Sequence, residues 1–543
     1  MLRTQPADLD GQLFDLVVIG GGINGAAIAR DAALRGLSVL LLEKGDFASG
    51  TTSWSTRLIH GGLRYLEHRE FGLVRESLRE RERLLRNAPH LVQPLPLYIP
   101  IYDRSKRGYW TIKAGMTLYD LLSYDKSLPR HTMLSRGSTL EVLPQLDPAG
   151  LKGAACYYDA QVAFPERLVI ENLLDAAANG GLALNYARVD SLLADGFVAR
   201  GVTFTDLLTG AHHEVRARAT INVAGPWVDQ VLRAGQHVDQ EKPLIGATKG
   251  AHCFISPPAS GAFPPIYCEA KSDGRAFFIL PWNGLIMIGT TDTRFTGNLD
   301  NVMATPEDVD YLIAEARVLL PHAGISADDV LFTYAGVRPL PSTGEGMEAG
   351  ITRRHFVVDH APTNCGLFSI VGGKLTTHRS LAGHAVDTVC DYLGAQAPCQ
   401  TASRPLPGAG EPMYTDHPLA TETTDRLHSL YGSRARIVIG LGLSDPALLE
   451  PLTADSQAIA AEVLFAFQHE QAAKLTDVLL RRMMTAYTPD MGLAIAKSAA
   501  NVARLHLGWS DDHATAELSA YVNAIKKFQP RALNPTPADT QTQ

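Results

Sequence analysis

Cysteine is scarce in this chain, and no pattern in the sequence makes use of it. The six cysteines are spread over 543 residues, and no two of them form a Cys-x-x-Cys pair. This spacing excludes a disulfide scaffold and argues against a zinc site. We therefore expect single reduced thiols in a cytosolic protein, and no metal ion.

Long apolar segments and an excess of basic charge are also missing. The most apolar stretch, at 37–42, is far too short to span a bilayer, and residues 1–13 lack the apolar core of a secretory signal. The 49 Lys and Arg are outnumbered by 57 Asp and Glu, which gives a net charge of −8. Nucleic acid is therefore not an expected partner, any membrane contact must be peripheral, and an anionic substrate must be attracted by a local group of cations.

The length and composition instead indicate a multidomain globular protein. Hydrophobic residues make up 45% of the chain and charged residues 20%, and 543 residues exceed what one core normally holds. A stretch rich in Pro and Gly at 404–412 predicts a linker, and 421–528 has the Ala, Leu and charge content of a helical domain. The Pro-, Thr- and Gln-rich end is predicted to be disordered.

A glycine-rich turn between two apolar runs predicts a dinucleotide site. Gly20, Gly22 and Gly25 directly follow the apolar run 16–19 and open an Ala-rich helical stretch. Glycine at these positions permits a tight turn and lets the backbone and the helix N-terminus approach a pyrophosphate. Glu43 ends the second apolar run about 20 residues on, where a carboxylate accepts hydrogen bonds from the adenosine ribose.

The loop after Glu43 favours FAD over NAD. It is rich in hydroxyl groups, with Thr51, Thr52 and Ser53 in succession, whereas NAD-binding folds usually continue here with further parallel strands. The loop resembles that of flavoproteins of the D-amino-acid-oxidase-like group, in which it wraps the FAD pyrophosphate. The bulky Trp54 that follows is a departure from this pattern.

The run Leu58–Glu67 makes the resemblance specific. Its sequence, LIHGGLRYLE, resembles that of the respiratory, FAD-dependent glycerol-3-phosphate dehydrogenases. The resemblance extends from residue 15 to residue 381 and resumes in the helical region. Further motifs of that family follow in the same order at 222–228, 248–252, 288–292, 334–340, 351–353, 372–377, 462–463 and 477–482.

The family implies an α/β fold with three domains. These are an FAD-binding Rossmann-like domain of the D-amino-acid-oxidase-like type, a β-sheet substrate-binding domain and a C-terminal all-α domain. The expected segments are 14–85, 156–244 and 334–400 for the FAD-binding domain, 86–155 and 245–333 for the substrate domain, 401–528 for the helical domain and 529–543 for the disordered tail.

The resemblance also assigns the site residues. Arg338 is expected against the substrate hydroxyls, and His252 is the candidate catalytic base, with His60 as a rival of similar standing. Ala251 departs from the family, which often has serine at this position. The expected substrate-binding residues are Arg64, Tyr65, Arg338, Arg353 and Lys374. The expected cofactor-binding residues are Gly20, Gly22, Gly25, Glu43, Thr51, Thr52, Ser53, Val189, Gly225, Gly373, Lys374, Leu375 and Thr376.

For the activity, the resemblance implies oxidation of sn-glycerol 3-phosphate to dihydroxyacetone phosphate. A hydride passes from C2 to FAD, and the electrons pass on to ubiquinone or a related quinone. A phosphate monoester is close to doubly negative at neutral pH, so several Arg and Lys side chains in one pocket suit it.

A basic and aromatic segment suggests where the protein meets the membrane. Residues 104–113 mix cations with aromatic rings, and apolar residues follow on a helical period up to 122. This composition suits a surface helix at headgroup level, so we expect a cytoplasmic protein bound peripherally to the inner face of the cell membrane. An amphipathic helix packed within the substrate domain is the alternative, and the sequence leaves a homodimer open.

Three other functions fit the same motifs. The first is a glycerol-3-phosphate oxidase, which passes electrons to oxygen and differs only in small features near the flavin. The second is an amine or hydroxy-acid oxidase of the same fold, whose carboxylate substrate needs fewer cations. The third is a flavin-binding regulatory protein without turnover, because the helical domain carries no catalytic motif.

Overall fold

The computed structural model describes residues 1–528 with gaps at 67–68, 236–241, 259–262, 343–353 and 412–416. The side chain of Arg64, the whole of Arg353 and the expected disordered tail, 529–543, lie outside the described part. Two β-sheets and a group of C-terminal helices make up the rest, which confirms the expected α/β fold class.

The first sheet is built on the two apolar runs that flank the glycine turn. Strand β1 (Leu13–Ile19) lies between β2 (Val39–Leu42) and β10 (His212–Asn222), and the three run parallel. Strands covered on both faces need apolar side chains at nearly every position, which explains the unbroken runs. The sheet is completed by β7 (Leu182–Leu184), β8 (Ala187–Asp195), β9 (Val198–Asp206), β17 (Phe356–Asp359) and β18 (Leu367–Val371).

Three helices cover one face of this sheet. Helix α1 (Ile23–Leu34) packs between α5 (Pro165–Ala178) and α8 (His378–Leu393). Because α1 is buried on nearly all sides, it carries small alanines instead of a polar stripe. The opposite face of the sheet is covered by β8 and β9, whose Val202 and Phe204 pack on the side chains of β1 and β2.

The second sheet is mostly antiparallel. Strand β11 (Thr248–Ile255) pairs with β14 (Leu285–Gly289) on one side and with β16 (Val330–Arg338) on the other, and among the described strands of this sheet the parallel pairing is that of β12 (Ile266–Glu269) with β4 (Val92–Tyr102). Helix α7 (Pro306–Leu319), which the sequence analysis did not predict, packs on this sheet. The strands are β3 (Leu58–Ile59), β4 (Val92–Tyr102), β5 (Thr132–Ser135), β6 (Leu151–Val162), β11 (Thr248–Ile255), β12 (Ile266–Glu269), β13 (Ala276–Trp282), β14 (Leu285–Gly289), β15 (Thr293–Arg294) and β16 (Val330–Arg338).

Two expected domain boundaries fall inside strands of this second sheet. The boundary at 155/156 divides β6, and the boundary at 333/334 divides β16. Both strands keep pairing within the sheet past those points, because an uninterrupted backbone hydrogen-bond ladder holds each of them. The domain division as a whole stays a prediction.

The region after the Pro- and Gly-rich linker is helical, as expected. Its last long helices, α13 (Leu493–His506) and α14 (Asp511–Ile525), pack against each other, and the short helix α12 (Leu475–Asp477) continues as a π-helical turn over Val478–Arg482. The helices of this domain are α9 (Thr421–Tyr431), α10 (Ala435–Ser444), α11 (Ala460–His469), α12 (Leu475–Asp477), α13 (Leu493–His506) and α14 (Asp511–Ile525). The remaining helices are α2 (Phe71–Asn87), α3 (Tyr109–Leu122), α4 (Arg136–Val142) and α6 (Val228–Arg233).

Helix α3 has one buried and one exposed face. Its buried residues are Met116 and Tyr119, and the Tyr119 hydroxyl donates to the Asp159 carboxylate at 2.9 Å. On the outer face Trp110 is 74% exposed and Leu121 is 68% exposed. Within the described ranges, none of the helices has the length and hydropathy that crossing a bilayer requires.

A fully buried ion pair ties the hydroxyl-rich loop to the first sheet's helical layer. The Arg57 guanidinium donates to both carboxylate oxygens of Glu166 on α5, each at 3.0 Å. It also donates to the carbonyl oxygens of Ser53 and Ala163, each at 2.9 Å. Four directed bonds to a guanidinium with no exposed surface fix the path of the loop as it leaves the first sheet.

Replacing this carboxylate is expected to destabilise the protein strongly. Glu166→Gln keeps the side-chain shape but leaves a buried guanidinium uncompensated, so the free energy of unfolding should fall by about 3 kcal/mol in urea denaturation. Asp103→Asn, which removes one partner of the exposed Lys152–Asp103 pair, is the control and should change it by less than about 0.5 kcal/mol. Equal losses of unfolding free energy in the two variants would contradict a special role of the buried Arg57–Glu166 pair.

Candidate active site

A cavity of about 630 Å³ lies at the carboxyl ends of the parallel strands, between the first sheet and the end of β16. Four of its lining segments directly follow a strand of the first sheet: Gly20 follows β1, Glu43 follows β2, 223–225 follows β10 and 372–375 follows β18. In α/β sheets this edge is where ligands bind, because the strand ends and helix N-termini converge there.

The glycine turn brings bare backbone to the wall of the cavity. Gly20 has φ +114°, and a Cβ on it would lie 2.7 Å from the carbonyl oxygen of Val223. A Cβ on Gly25 would lie 1.9 Å from the carbonyl oxygen of Gly20, so Gly25 permits close packing of the turn instead of lining the cavity. Gly22 lines the cavity at the N-terminus of α1, where the partial positive charge of the helix favours an anion.

Glu43 holds this turn together and also faces the cavity. One of its carboxylate oxygens accepts the backbone N–H of Gly21 at 2.6 Å, and the other accepts that of Gly45 at 2.7 Å. Burial raises the pKa of Glu43, and the two backbone N–H groups oppose that rise. Each carboxylate oxygen has a second lone pair, which leaves acceptor capacity for ribose hydroxyls.

Two residues of the hydroxyl-rich loop line the cavity, and a third supports the loop from its buried side. Thr51 and Thr52 line the cavity; the Thr51 hydroxyl donates to the carbonyl of Val337 at 2.6 Å, and that of Thr52 accepts the N–H of Ile23 at 3.1 Å. Ser53 is buried and donates to the carbonyl of Ala48 at 2.7 Å, so it shapes the loop from behind.

The remaining expected cofactor residues also include some that line the cavity and one that does not. Val189, Gly225, Gly373 and Leu375 line the cavity, and a Cβ on Gly225 would meet nothing within 4 Å. Thr376 is buried and does not line it; its hydroxyl accepts the backbone N–H of His60 at 3.1 Å.

Arg338 is held at the end of β16 by the second sheet. Its guanidinium donates to the carboxylate of Asp292 at 3.0 Å and to the hydroxyl of Thr290 at 3.0 Å. A Cβ on Gly250 would lie 2.1 Å from the nearer guanidinium nitrogen, so the glycine of the Thr-Lys-Gly motif makes room for this side chain. The arginine is thus fixed in position while remaining partly exposed.

The side chains of Lys374 and Tyr65 contact each other. The Lys374 ammonium lies 3.8 Å from the centre of the Tyr65 ring, which is a cation–π contact. The segments of Lys374 and Arg338 are joined because the N–H of Gly372 donates to the carbonyl of Pro339 at 3.0 Å. The structure therefore brings Tyr65, Lys374 and the Arg338 segment together, whereas the side chains of Arg64 and Arg353 lie outside the described residues.

His252 lies behind the cavity and not in its wall. It is 1% exposed, is not among the lining residues, and its Nε2 is 3.0 Å from the hydroxyl of Thr56. Burial, reinforced by the positive charges of Arg338 and Arg57, lowers the pKa of His252 to about 3. The ring is therefore neutral at physiological pH, and its role as a base stays a prediction.

Many of the residues that line the cavity were not predicted as site residues, among them Asn24, Trp54 and Lys527. Asn24 lies in the first turn of α1, and the ring centres of Trp54 and Tyr334 are 5.5 Å apart. Lys527, from the turn after α14, reaches the same cavity with its ammonium 5.6 Å from the Trp54 ring. The unusual bulk of Trp54 was a signal in the sequence, but nothing local marks Lys527.

These residues fit FAD. The cavity volume lies in the usual range of cofactor sites, about 300–1,000 Å³. The glycine turn with its crowded Cβ positions suits a pyrophosphate, and the carboxylate of Glu43 suits a ribose.

Two family models together match most of the chain. The model described as FAD dependent oxidoreductase matches residues 15–379, and that described as C-terminal domain of alpha-glycerophosphate oxidase matches residues 399–514. The first covers the two sheets and the second most of the helical domain.

Relatives of known name match over nearly the full length. The glycerol-3-phosphate dehydrogenase of Synechocystis sp. is 45% identical over 95% of this chain and 96% of its own. Glycerol-3-phosphate dehydrogenase 2 of Mycobacterium tuberculosis is 35% identical over 95% of this chain and 89% of its own.

A solved structure gives the same result. The glycerol-3-phosphate dehydrogenase from Bacillus halodurans, complexed with FAD, superposes with a TM-score of 0.77 at 28% identity and covers 96% of each chain. The expected cofactor, FAD, is confirmed. The chain belongs to the family of FAD-dependent glycerol-3-phosphate dehydrogenases.

Proposed function

We propose that this protein oxidises sn-glycerol 3-phosphate to dihydroxyacetone phosphate by transfer of the C2 hydride to FAD, and passes the electrons to ubiquinone or a related membrane quinone. The observation that carries the proposal is Lys374 in the wall of the FAD cavity, on a turn that is hydrogen-bonded to the segment of Arg338. The names of the relatives at 45% and 35% identity support glycerol 3-phosphate as the substrate.

Phosphate recognition follows from the local charges. The chain has a net charge of −8, so attraction of a dianion depends on cations placed within the pocket. Lys374 supplies an ammonium, and Arg338 presents a planar guanidinium to the polyol. Tyr65 orients the ammonium through its ring. We assign Arg64 and Arg353 to the same pocket on the family motifs alone.

Alcohol oxidation also requires a group that takes the hydroxyl proton. FAD, when bound, accepts the hydride. A base is most effective when its pKa lies near the working pH. His252, whose pKa is lowered to about 3, is therefore the weaker candidate, and we favour His60. The backbone of His60 is joined through Thr376 to the turn that carries Lys374.

The exposed face of α3 supports the quinone as acceptor. Trp110 and Leu121 project from a helix whose other face is packed on the protein, and the Lys113 ammonium lies 5.2 Å from the Trp110 ring. Aromatic, apolar and basic groups on one surface suit the headgroup region of a membrane. We place the protein at the cytoplasmic membrane on this basis, and the homodimer stays a prediction.

One alternative acceptor has specific support. The family model that matches the helical domain is named for alpha-glycerophosphate oxidase, so transfer of electrons to oxygen is the second candidate. Hydrogen peroxide formed at the rate of substrate turnover would favour it over the quinone.

The substrate assignment is tested at Lys374. Lys374→Gln should raise the KM for glycerol 3-phosphate about 10- to 100-fold, because a charged contact to the phosphate is lost. The kcat/KM for glycerol, which lacks the phosphate, should change much less. Lys152→Gln, on the exposed surface, is the control for loss of charge. Equal losses for the two substrates would contradict phosphate binding by Lys374, and absorbance of the bound flavin checks that FAD is retained.

The pH dependence of kcat distinguishes the two histidines. Burial lowers the pKa of His252 to about 3, so we do not expect protonation of His252 to lower kcat between pH 8 and pH 5. We expect His60→Asn to lower kcat by about 100-fold or more and to remove the acidic limb of the profile. His252→Asn should keep that limb. The reverse pattern would identify His252 as the base.

Membrane contact through α3 is tested with vesicles that contain anionic lipid. Trp110→Ser combined with Leu121→Ser should weaken binding about tenfold or more, since two exposed apolar side chains are lost. Phe197→Ser removes a comparable apolar group, 71% exposed, from the loop between β8 and β9 and should leave binding unchanged. If both variants bind like the unmodified protein, α3 is not the contact surface.

A further inference from the structure

The motif 477–482 of the helical domain has no part in the chemistry above, yet it reaches the loop that follows β2. The Arg481 Nε donates to the Asp46 carboxylate at 2.6 Å. Two guanidinium nitrogens of Arg482 donate to both oxygens of the same carboxylate, each at 2.9 Å, and the amide of Asn185 donates at 3.0 Å. Asp46 thus accepts four hydrogen bonds in a fully buried position.

Asp46 lies in the middle of a cofactor loop, residues 43–50, that has two faces. Glu43, Lys44, Gly45, Ser49 and Gly50 line the FAD cavity. The intervening residues 46–48 are buried and point away from it. The loop therefore presents one face to the cofactor and rests with the other on the arginines of the helical domain.

The contact of Asp46 with Arg481 and Arg482, which we call the anchor, is close enough to the cavity wall to set its shape. Asp46 is three residues from Glu43, and its carbonyl accepts the N–H of Ser49, which lines the cavity, at 3.2 Å. A second link runs through Tyr186, whose N–H donates to the carbonyl of Gly45 at 2.8 Å and whose hydroxyl donates to Asp477 at 2.6 Å. A displaced Asp46 would move both ends of the loop.

The charges explain why this anchor is specific. Burial by itself would raise the pKa of Asp46, but Arg482 and Arg481 outweigh that effect and hold the pKa below its usual range. Arg481 also donates to Asp477 at 2.7 Å, so the cluster contains two arginines and two aspartates. Buried ion pairs of this kind contribute little net stability, but they fix which groups meet and in what geometry.

We propose that the helical domain is a positioning element for FAD: Arg481 and Arg482 grip Asp46 and thereby hold the cofactor loop in the conformation that binds the adenosine half. Retention of FAD then depends on a domain that contributes no group to hydride transfer. The proposal concerns the cofactor alone, so it stands or falls independently of the substrate and the electron acceptor.

The test compares two isosteric variants of the full-length holoenzyme. Asp46→Asn removes the charge that meets Arg481 and Arg482. Glu470→Gln is the matched control, because Glu470 is also fully buried and its carboxylate is paired with Arg167 at 2.6 Å and with Arg434 at 2.9 Å, whereas Arg482 donates to its backbone carbonyl at 2.9 Å, a bond that the substitution retains. The FAD dissociation constant is measured by equilibrium dialysis, and the unfolding temperature is measured at saturating FAD.

We expect Asp46→Asn to raise the FAD dissociation constant about tenfold or more, and Glu470→Gln to lower the unfolding temperature without changing that constant. Asp46→Glu, which restores the charge, should recover part of the affinity. If Asp46→Asn is insoluble, Arg481→Gln leaves Arg482 in place and should give a smaller rise, of about three- to tenfold. An unchanged constant in the Asp46 or Arg481 variant, or an equal rise in the Glu470 variant, would overturn the proposal.

Discussion

The structure depends on one constraint, which is that a pyrophosphate must be met by backbone without side chains in between. At Gly20 and Gly25 a single added carbon would collide with a carbonyl oxygen at 2.7 Å and 1.9 Å. The turn lies between the buried strand β1 and the N-terminus of α1, where Gly22, Ile23 and Asn24 line the cavity. The acidic and hydroxyl-rich loops, the second sheet and the helical domain are arranged around this edge.

The second sheet holds Arg338 in position. Arg338 is the last residue of β16, and Asp292 and Thr290 fix its guanidinium. The contact between Pro339 and Gly372 joins this strand end to the turn that carries Lys374. The protein has a net charge of −8, and Lys374 places a cation in the wall of the cofactor cavity.

The parts of the fold that the sequence predicts are those set by neighbouring residues. The apolar run 16–19, the glycine turn and Glu43 form one local pattern, and the structure has them as strand, turn and strand end. Residues that depend on distant partners could not be placed. Burial of His252 depends on three strands, and Arg482 meets Asp46 across 436 residues. The boundaries expected at 155/156 and 333/334 fall inside β6 and β16 for the same reason, because the pairing of a strand with distant partners is not visible in the local sequence.

The contribution of Lys527 to the cavity wall has a consequence for biosynthesis. Translation proceeds from the N-terminus, so the glycine turn leaves the ribosome long before the turn after α14 exists. The wall is complete only once at least 527 residues have been made. A polypeptide that ends before Lys527 therefore lacks one residue of the cavity wall.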